Sequence, residues 1–76
     1  MSETVKFWYE DFLEEVHKNP TPEDIEKEIK EAQGSLENNK LWLNGSLTDS
    51  DRRAFENNIE DIEEYLEVLN ELKNNL

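Results

Sequence analysis

Apolar side chains recur near the start of the chain with the period of an α-helix. Their spacing alternates between three and four residues, as on one buried helical face. The apolar positions are Val5, Trp8, Tyr9, Phe12, Leu13 and Val16. The pattern predicts a first helix over about residues 4–18, ended by the segment Asn19-Pro20-Thr21-Pro22.

The same segment contains the start of a second helix. Thr21 is suited to the N-cap, and Pro22 fits the first helical position, where its missing N–H removes no hydrogen bond. Apolar residues then continue in heptad phase, and a glycine in Asn44-Gly45 indicates a C-terminal cap. The pattern predicts a helix over about residues 22–43. Its apolar positions are Ile25, Ile29, Ala32, Leu36 and Leu43.

Gly34 and Ser35 interrupt the middle of this second helix. The apolar period runs through them in register, which favours one continuous helix with a weak point. The alternative is that Gly34 ends one helix and Ser35 caps another.

A third helix is predicted over about residues 49–74. Thr48 or Asp49 can serve as its N-cap, and Leu47 is placed to form a hydrophobic staple. Its apolar seam, broken only by Lys73, consists of Phe55, Ile59, Ile62, Leu66, Leu69 and Leu76. A flank of Tyr65, Val68 and Leu72 widens the apolar face, so we expect this helix to contact two neighbours.

Short connections between the helices favour antiparallel neighbours. We therefore predict one all-α domain over residues 1–76, with helices two and three forming a long antiparallel hairpin and helix one alongside. This arrangement would bring Phe7-Trp8-Tyr9 close to Leu41-Trp42-Leu43. Because three consecutive helical residues cannot all face one core, Trp8 and Trp42 are candidates for contacting a partner.

Composition narrows the classes of partner. Twenty acidic residues against eight basic ones give a formal net charge of −12 over 76 residues. Such a charge argues against direct binding of nucleic acid or of an anionic membrane, and it favours a basic protein partner. The start at Met1, followed by Ser2 and Glu3, shows no signal-peptide pattern, and cysteine is absent. We expect a cytoplasmic protein.

The charge is concentrated on one face of helix three. No Lys or Arg lies between Ala54 and Leu72, and the acidic side chains there fall opposite the Tyr65 flank. The predicted face comprises Glu56, Glu60, Glu63, Glu64, Glu67 and Glu71. With Asp61, this is one charge per roughly 3 Å of helix, against about 3.4 Å per phosphate along a DNA strand. The face is a decoy for nucleic acid, a binding surface for another kind of basic partner, or a solvated surface that keeps the protein soluble.

Catalytic chemistry has little support in this sequence. There is no cysteine and no glycine-rich phosphate loop, and His17 is the only histidine. Glu14 and His17 have the E-x-x-H spacing of helical di-metal proteins, but a complete site needs a second copy of that motif. We therefore predict a non-enzymatic protein with no cofactor and no metal site.

In charge, size and helicity the chain resembles the small acidic DNA-mimic and anti-defence proteins encoded by phages, anti-CRISPR proteins among them. The likeness implies an inhibitor that occupies the basic groove of a nucleic-acid-handling partner, and it transfers no functional residues. The alternative is an antitoxin-like or adaptor module that binds through its apolar and aromatic flank, with homodimerisation as one option.

Overall fold

The computed structural model describes residues 1–45 and 48–76, which form three α-helices and no strand. Helix α1 spans Glu3–Glu15, α2 spans Pro22–Leu43 and α3 spans Asp49–Asn74. Helices α2 and α3 pack most extensively, as an antiparallel hairpin, and α1 packs mainly against α3. The predicted all-α class and the dominant hairpin are confirmed.

The predicted helix starts are formed by side-chain caps. The hydroxyl of Thr21 accepts the N–H of Asp24 at 3.2 Å, and the Asp24 carboxylate accepts the N–H of Thr21 at 3.2 Å. This reciprocal capping box satisfies two backbone donors, and Pro22 occupies the first turn. At α3 the hydroxyl of Thr48 accepts the N–H of Asp51 at 3.2 Å, so Thr48 is the N-cap.

Helix α1 ends three residues earlier than its apolar pattern predicts. His17 and Lys18 adopt left-handed backbone angles, with φ of 54° and 60°. The N–H of Lys18 donates to the carbonyl of Leu13 at 2.6 Å, and that of His17 donates to the carbonyl of Glu14 at 3.2 Å. These are the two hydrogen bonds of a Schellman motif, here built without the usual glycine. The helix therefore stops at Glu15.

Helix α2 is continuous through Gly34 and ends at Leu43, as its apolar register predicts. Asn44 is its C-cap, with φ of −77° in the right-handed region. Gly45 follows without a left-handed φ, so the helix end does not depend on the conformational freedom of a glycine. The predicted staple residue Leu47 lies outside the described residues.

Within residues 1–45 and 48–76, the core is built from two buried side chains of α1, two of α2 and three of α3. Tyr65 of the α3 flank is buried and packs against Trp8 of α1, with ring centroids 5.7 Å apart and planes at 58°. The flank thus provides the second helix contact predicted for α3. Leu76, predicted to continue the seam, is 60% exposed because it follows the C-cap Asn75. The buried side chains are Val5, Phe12, Ile25, Ala32, Ile62, Tyr65 and Leu69.

Helix α1 covers only part of the hairpin. Ser2 is its N-cap, and it donates from its N–H to Glu64 at 2.8 Å and from its hydroxyl to Asp61 at 3.2 Å. At about 1.5 Å per residue, α1 is roughly 20 Å long and α2 roughly 33 Å. The predicted packing of Phe7-Trp8-Tyr9 on Leu41-Trp42-Leu43 is wrong: α1 starts beside the middle of α3 and runs away from that triplet, in which Leu41 and Trp42 are 70% and 64% exposed.

Candidate acidic interface

Helix α3 presents the predicted acidic face as a continuous surface. Five of its six members are exposed, and Glu64 is half-buried. A shallow groove of about 360 Å³ runs along the helix, with the half-buried Ile59 among the carboxylates. The structure therefore brings most of the predicted face together around one depression, and only Glu71 is outside its lining. The groove residues are Glu56, Ile59, Glu60, Glu63, Glu64 and Glu67.

The charge of this groove is almost uncompensated. Within residues 1–45 and 48–76, the single ion pair that reaches it joins the Met1 amino group to Glu64 at 3.6 Å. The other ion pair in this part of the chain, between Lys73 and Glu26 at 2.8 Å, lies at the C-terminal end of α3. Like charges three and four residues apart destabilise a helix by about 0.2–0.5 kcal/mol per pair. Repulsion among the glutamates of this face therefore lowers the local stability of α3.

Two acidic residues of α3 also have a structural role. Glu64 and Asp61 accept the two hydrogen bonds from Ser2 that hold the start of α1 on the hairpin. Sequence spacing assigned Glu64 to the acidic face but gave no indication of its contact with Ser2, which lies 62 residues away along the chain. Glu64 therefore belongs to the acidic face and also helps to hold the start of α1 on the hairpin.

The two tryptophans predicted to contact a partner occupy different environments. Trp8 is half-buried, and its ring packs at a tilt of 58° against the ring of Tyr65 in the core. Trp42 is 64% exposed beside Leu41, which is 70% exposed. Partner contact stays a prediction for both residues, and Trp42 is the one presented on an open surface.

The acidic residues of α1 do not extend the acidic face of α3. Glu10, Asp11 and Glu14 line a separate depression on α1 itself. Glu15 lies on the other side, in a depression between α1 and α2 that also involves Glu28. The negative charge of the protein is therefore distributed over several surfaces, of which the α3 groove has the most carboxylates.

A second groove, of about 420 Å³, lies where the three helices meet. We call it the aromatic groove because Trp8 and Tyr65 line it, together with Glu28 and Glu31. The hydroxyl of Tyr65 donates to Glu28 Oε2 at 3.1 Å and lies 3.4 Å from the carbonyl oxygen of Trp8. Its lining residues come from three helices, so spacing along any one helix could not have revealed it.

Burial alters the titration of two groups in the aromatic groove. Desolvation raises the pKa of the Glu28 carboxyl, and the hydrogen bond from Tyr65 opposes that shift only in part. The neighbouring charges of Glu31 and Glu15 raise the pKa of Glu28 further. Burial, followed by the charge of Glu28, also raises the pKa of Tyr65. An ionised Glu28 is therefore held in an environment that disfavours its charge.

Residues 1–45 and 48–76 contain neither a metal-binding cluster nor a membrane-spanning helix. No group of three or more His, Cys, Asp or Glu side chains there is arranged to hold a metal ion. The histidine of the Glu14 and His17 pair lies in the left-handed turn after α1 and is exposed. None of the three helices has an apolar stretch of the length and hydropathy needed to cross a membrane.

The chain matches no protein-family model, and no curated protein or solved structure shows significant similarity to it. Three surfaces of the protein are distinctive: the acidic groove of α3, the aromatic groove between the helices, and the exposed apolar residues around Trp42.

Proposed function

We propose that this protein is a non-enzymatic inhibitor that binds the basic groove of a cytoplasmic nucleic-acid-handling protein, in place of the nucleic acid. The observation that supports this proposal best is the acidic groove of α3, where five glutamates surround one depression and a single amino group offsets their charge. The phage-encoded DNA mimics and anti-CRISPR proteins that the chain resembles in charge, size and helicity act in this general way.

The geometry of the face supports mimicry of a nucleic-acid strand. Because Asp61 and Glu64 hold Ser2, the carboxylates left free for a partner are Glu56, Glu60, Glu63, Glu67 and Glu71. They extend over about 22 Å of helix, or one charge per roughly 4–5 Å, which is comparable with about 3.4 Å per phosphate in one strand. Lysine and arginine side chains that are spaced to bind successive phosphates could therefore bind successive carboxylates along this helix.

Charge also determines how such an inhibitor would reach its target. Electrostatic steering raises association rates by about 10–10³-fold and weakens as salt is added. With a net charge of −12, the protein would approach a basic groove rapidly and exclude nucleic acid from it by competition. Binding should therefore be strongly salt-dependent and mutually exclusive with nucleic acid.

The test is affinity capture from a cytoplasmic lysate with a variant that carries Gln at the five free carboxylates of α3. This face variant combines E56Q, E60Q, E63Q, E67Q and E71Q, and it leaves the contact of Glu64 with Ser2 intact. It changes the net charge from −12 to −7 and keeps the side-chain shape and one acceptor oxygen at each position. A control variant with the same net charge places Gln at five acidic positions outside the groove, on exposed parts of α1 and α2. It combines E3Q, E10Q, E14Q, E23Q and E37Q.

We expect the wild type and the control variant to retain the same nucleic-acid-handling protein, to release it at moderate salt and to be displaced by duplex DNA or RNA. The face variant should bind it at least tenfold more weakly. Equal loss in both variants would show that only net charge matters. Unchanged capture by the face variant would contradict the proposal.

A second candidate function is favoured by the exposed apolar surface of α2. Leu41 and Trp42 are 70% and 64% exposed, and tryptophan is enriched at protein-binding hot spots. This surface would suit an antitoxin-like or adaptor module that binds an apolar partner or a second copy of itself. Such binding should be insensitive to salt and to the face variant, but it should be lost in W42A. Analytical ultracentrifugation of W42A and the wild type would test the homodimer directly.

A further inference from the structure

The aromatic groove has the dimensions of a small binding site. Its volume of about 420 Å³ lies within the range of roughly 300–1,000 Å³ typical of ligand pockets. Ala32 of α2 and Ile62 of α3 contribute apolar surface, and polar groups from α2 and α3 surround it. It is open to solvent on one side, so an extended side chain could enter it.

Its aromatic residues favour a cation. The rings of Trp8 and Tyr65 are 5.7 Å apart at the centroids and tilted by 58°, and both residues line the groove. The face of an aromatic ring carries negative potential and attracts a cation within about 6 Å, most strongly at tryptophan. Arginine is the cation that most often makes such contacts in proteins.

Its carboxylates lack a cationic partner. Glu28 and Glu31 line the groove, and within residues 1–45 and 48–76 no charged nitrogen of a Lys or Arg lies within 4 Å of either carboxylate. Glu28 is half-buried and bonded to the Tyr65 hydroxyl, while Asp11 and Glu15 of α1 add negative charge nearby. Lys27 borders the adjacent depression without forming an ion pair. A positive group in the groove would therefore relieve an unfavourable concentration of charge.

The polar rim favours a planar group with several donors. The Nδ2 of Asn39 donates to the carbonyl of Ser35 at 2.7 Å, which leaves the Oδ1 of Asn39 as an acceptor at the rim. Together with Glu28 and Glu31, the groove thus offers several oxygen acceptors around an aromatic pair. A guanidinium has five N–H donors in one plane and stacks on aromatic faces, whereas an ammonium does neither.

We propose that the aromatic groove is a binding site for an arginine side chain presented by a partner protein. The guanidinium stacks against Trp8 and donates hydrogen bonds to Glu28 and Glu31. The site is separate from the acidic groove of α3. The acidic groove would attract a basic partner over a long range, and the aromatic groove would add a specific contact with one arginine of that partner. The proposal rests on the proposed function for the existence of a basic partner, but the preference for arginine is measurable without that partner.

The test uses two blocked tripeptides, acetyl-Gly-Arg-Gly-amide and acetyl-Gly-Lys-Gly-amide. They are titrated into protein carrying W42F, so that Trp8 is the only tryptophan, and binding is followed by its fluorescence and by ¹⁵N NMR. The critical variant is E28Q, which preserves side-chain shape and the acceptor for Tyr65. The matched control is E37Q, an identical charge change on the exposed surface of α2 outside the groove.

We expect saturable shifts at the Trp8 indole with the arginine peptide, and binding several-fold weaker with the lysine peptide. E28Q should weaken arginine binding about tenfold, since charge-assisted hydrogen bonds are the strong ones. E37Q should change it by less than about twofold, because surface charges away from the site are screened. The α3 face variant should also retain arginine binding, which separates this proposal from the proposed function.

Three results would contradict the proposal that this groove binds arginine. These are equal responses to arginine and lysine peptides, equal effects of E28Q and E37Q, or shifts confined to the α3 glutamates. E31Q provides a second variant if E28Q unfolds, and circular dichroism of each variant confirms folding before titration.

Discussion

Replacing Gly34 with alanine tests the continuity of α2 at its weakest point. Gly34 lies in the interior of α2, is exposed and has no left-handed φ. A Cβ built at this position meets no atom within 4 Å beyond the helix's own backbone and the adjacent residues. The substitution therefore introduces no clash and should report only the difference in helix propensity.

The size of the expected effect follows from that propensity. Glycine in a helix interior is less favourable than alanine by about 0.8–1.0 kcal/mol, chiefly because of backbone entropy. Gly34→Ala should therefore increase the free energy of unfolding by about 1 kcal/mol. For a domain of this size, such a change corresponds to a rise in Tm of about 4–8 °C.

Urea denaturation followed by circular dichroism at 222 nm measures this change, with the slope against urea expected to stay constant. Gly45→Ala is the matched control, because Gly45 lies outside α2 and gains nothing from helix propensity. A Cβ at Gly45 would also lie only 3.3 Å from the carbonyl oxygen of Trp42. That substitution should give no gain. A loss of stability in Gly34→Ala would refute the reasoning and would indicate two helices separated at Gly34.

Three other substitutions test the core, the α1 terminus and the aromatic groove. Leu69 is fully buried, so Leu69→Ala should cost about 2–5 kcal/mol in urea denaturation. His17→Gly should gain about 0.5–1 kcal/mol in the same assay by relieving the left-handed φ of 54°. Burial raises the pKa of the Glu28 carboxyl above 4.5, so ionisation of this group opposes folding. The stability that the protonated carboxyl contributes at low pH is therefore lost as pH rises through the raised pKa. Thermal melts should find Glu28→Gln more stable than wild type at pH 7, with the difference disappearing below about pH 4; a constant difference would contradict the assigned cause.

The helix boundaries were predictable where local chemistry determines them. Thr21 with Pro22, and Thr48 before Asp49, are capping signals that act within one turn, and the structure uses them as the sequence indicates. The end of α1 was less predictable, because two residues without glycine's freedom adopt left-handed angles there. Neither His17 nor Lys18 signals such a turn from its residue type alone.

The position of α1 depends on contacts that sequence spacing does not encode. Its docking relies on Ser2 with Asp61 and Glu64, and on Trp8 with Tyr65, pairs that are roughly sixty residues apart along the chain. The acidic face could be derived from sequence, since helical periodicity alone puts its glutamates together. The aromatic groove could not, because it exists only after three helices have packed.

Because α1 packs on only one part of the α2–α3 hairpin, the molecule has two zones that differ in their resistance to local unfolding. Every buried side chain of α2 and α3 in the described part of the chain lies within residues 25–32 and 62–69, and none lies within residues 33–45 and 48–61. Backbone hydrogen bonds in the second zone are protected by two helices rather than three, so amide exchange there should proceed by local opening well below the global free energy of unfolding. The zone that carries Trp42 and the start of the acidic face can therefore open while the zone that holds Trp8, Glu28 and Tyr65 stays folded, which would remove only the Ser35, Asn39 and Asn58 side of the aromatic groove.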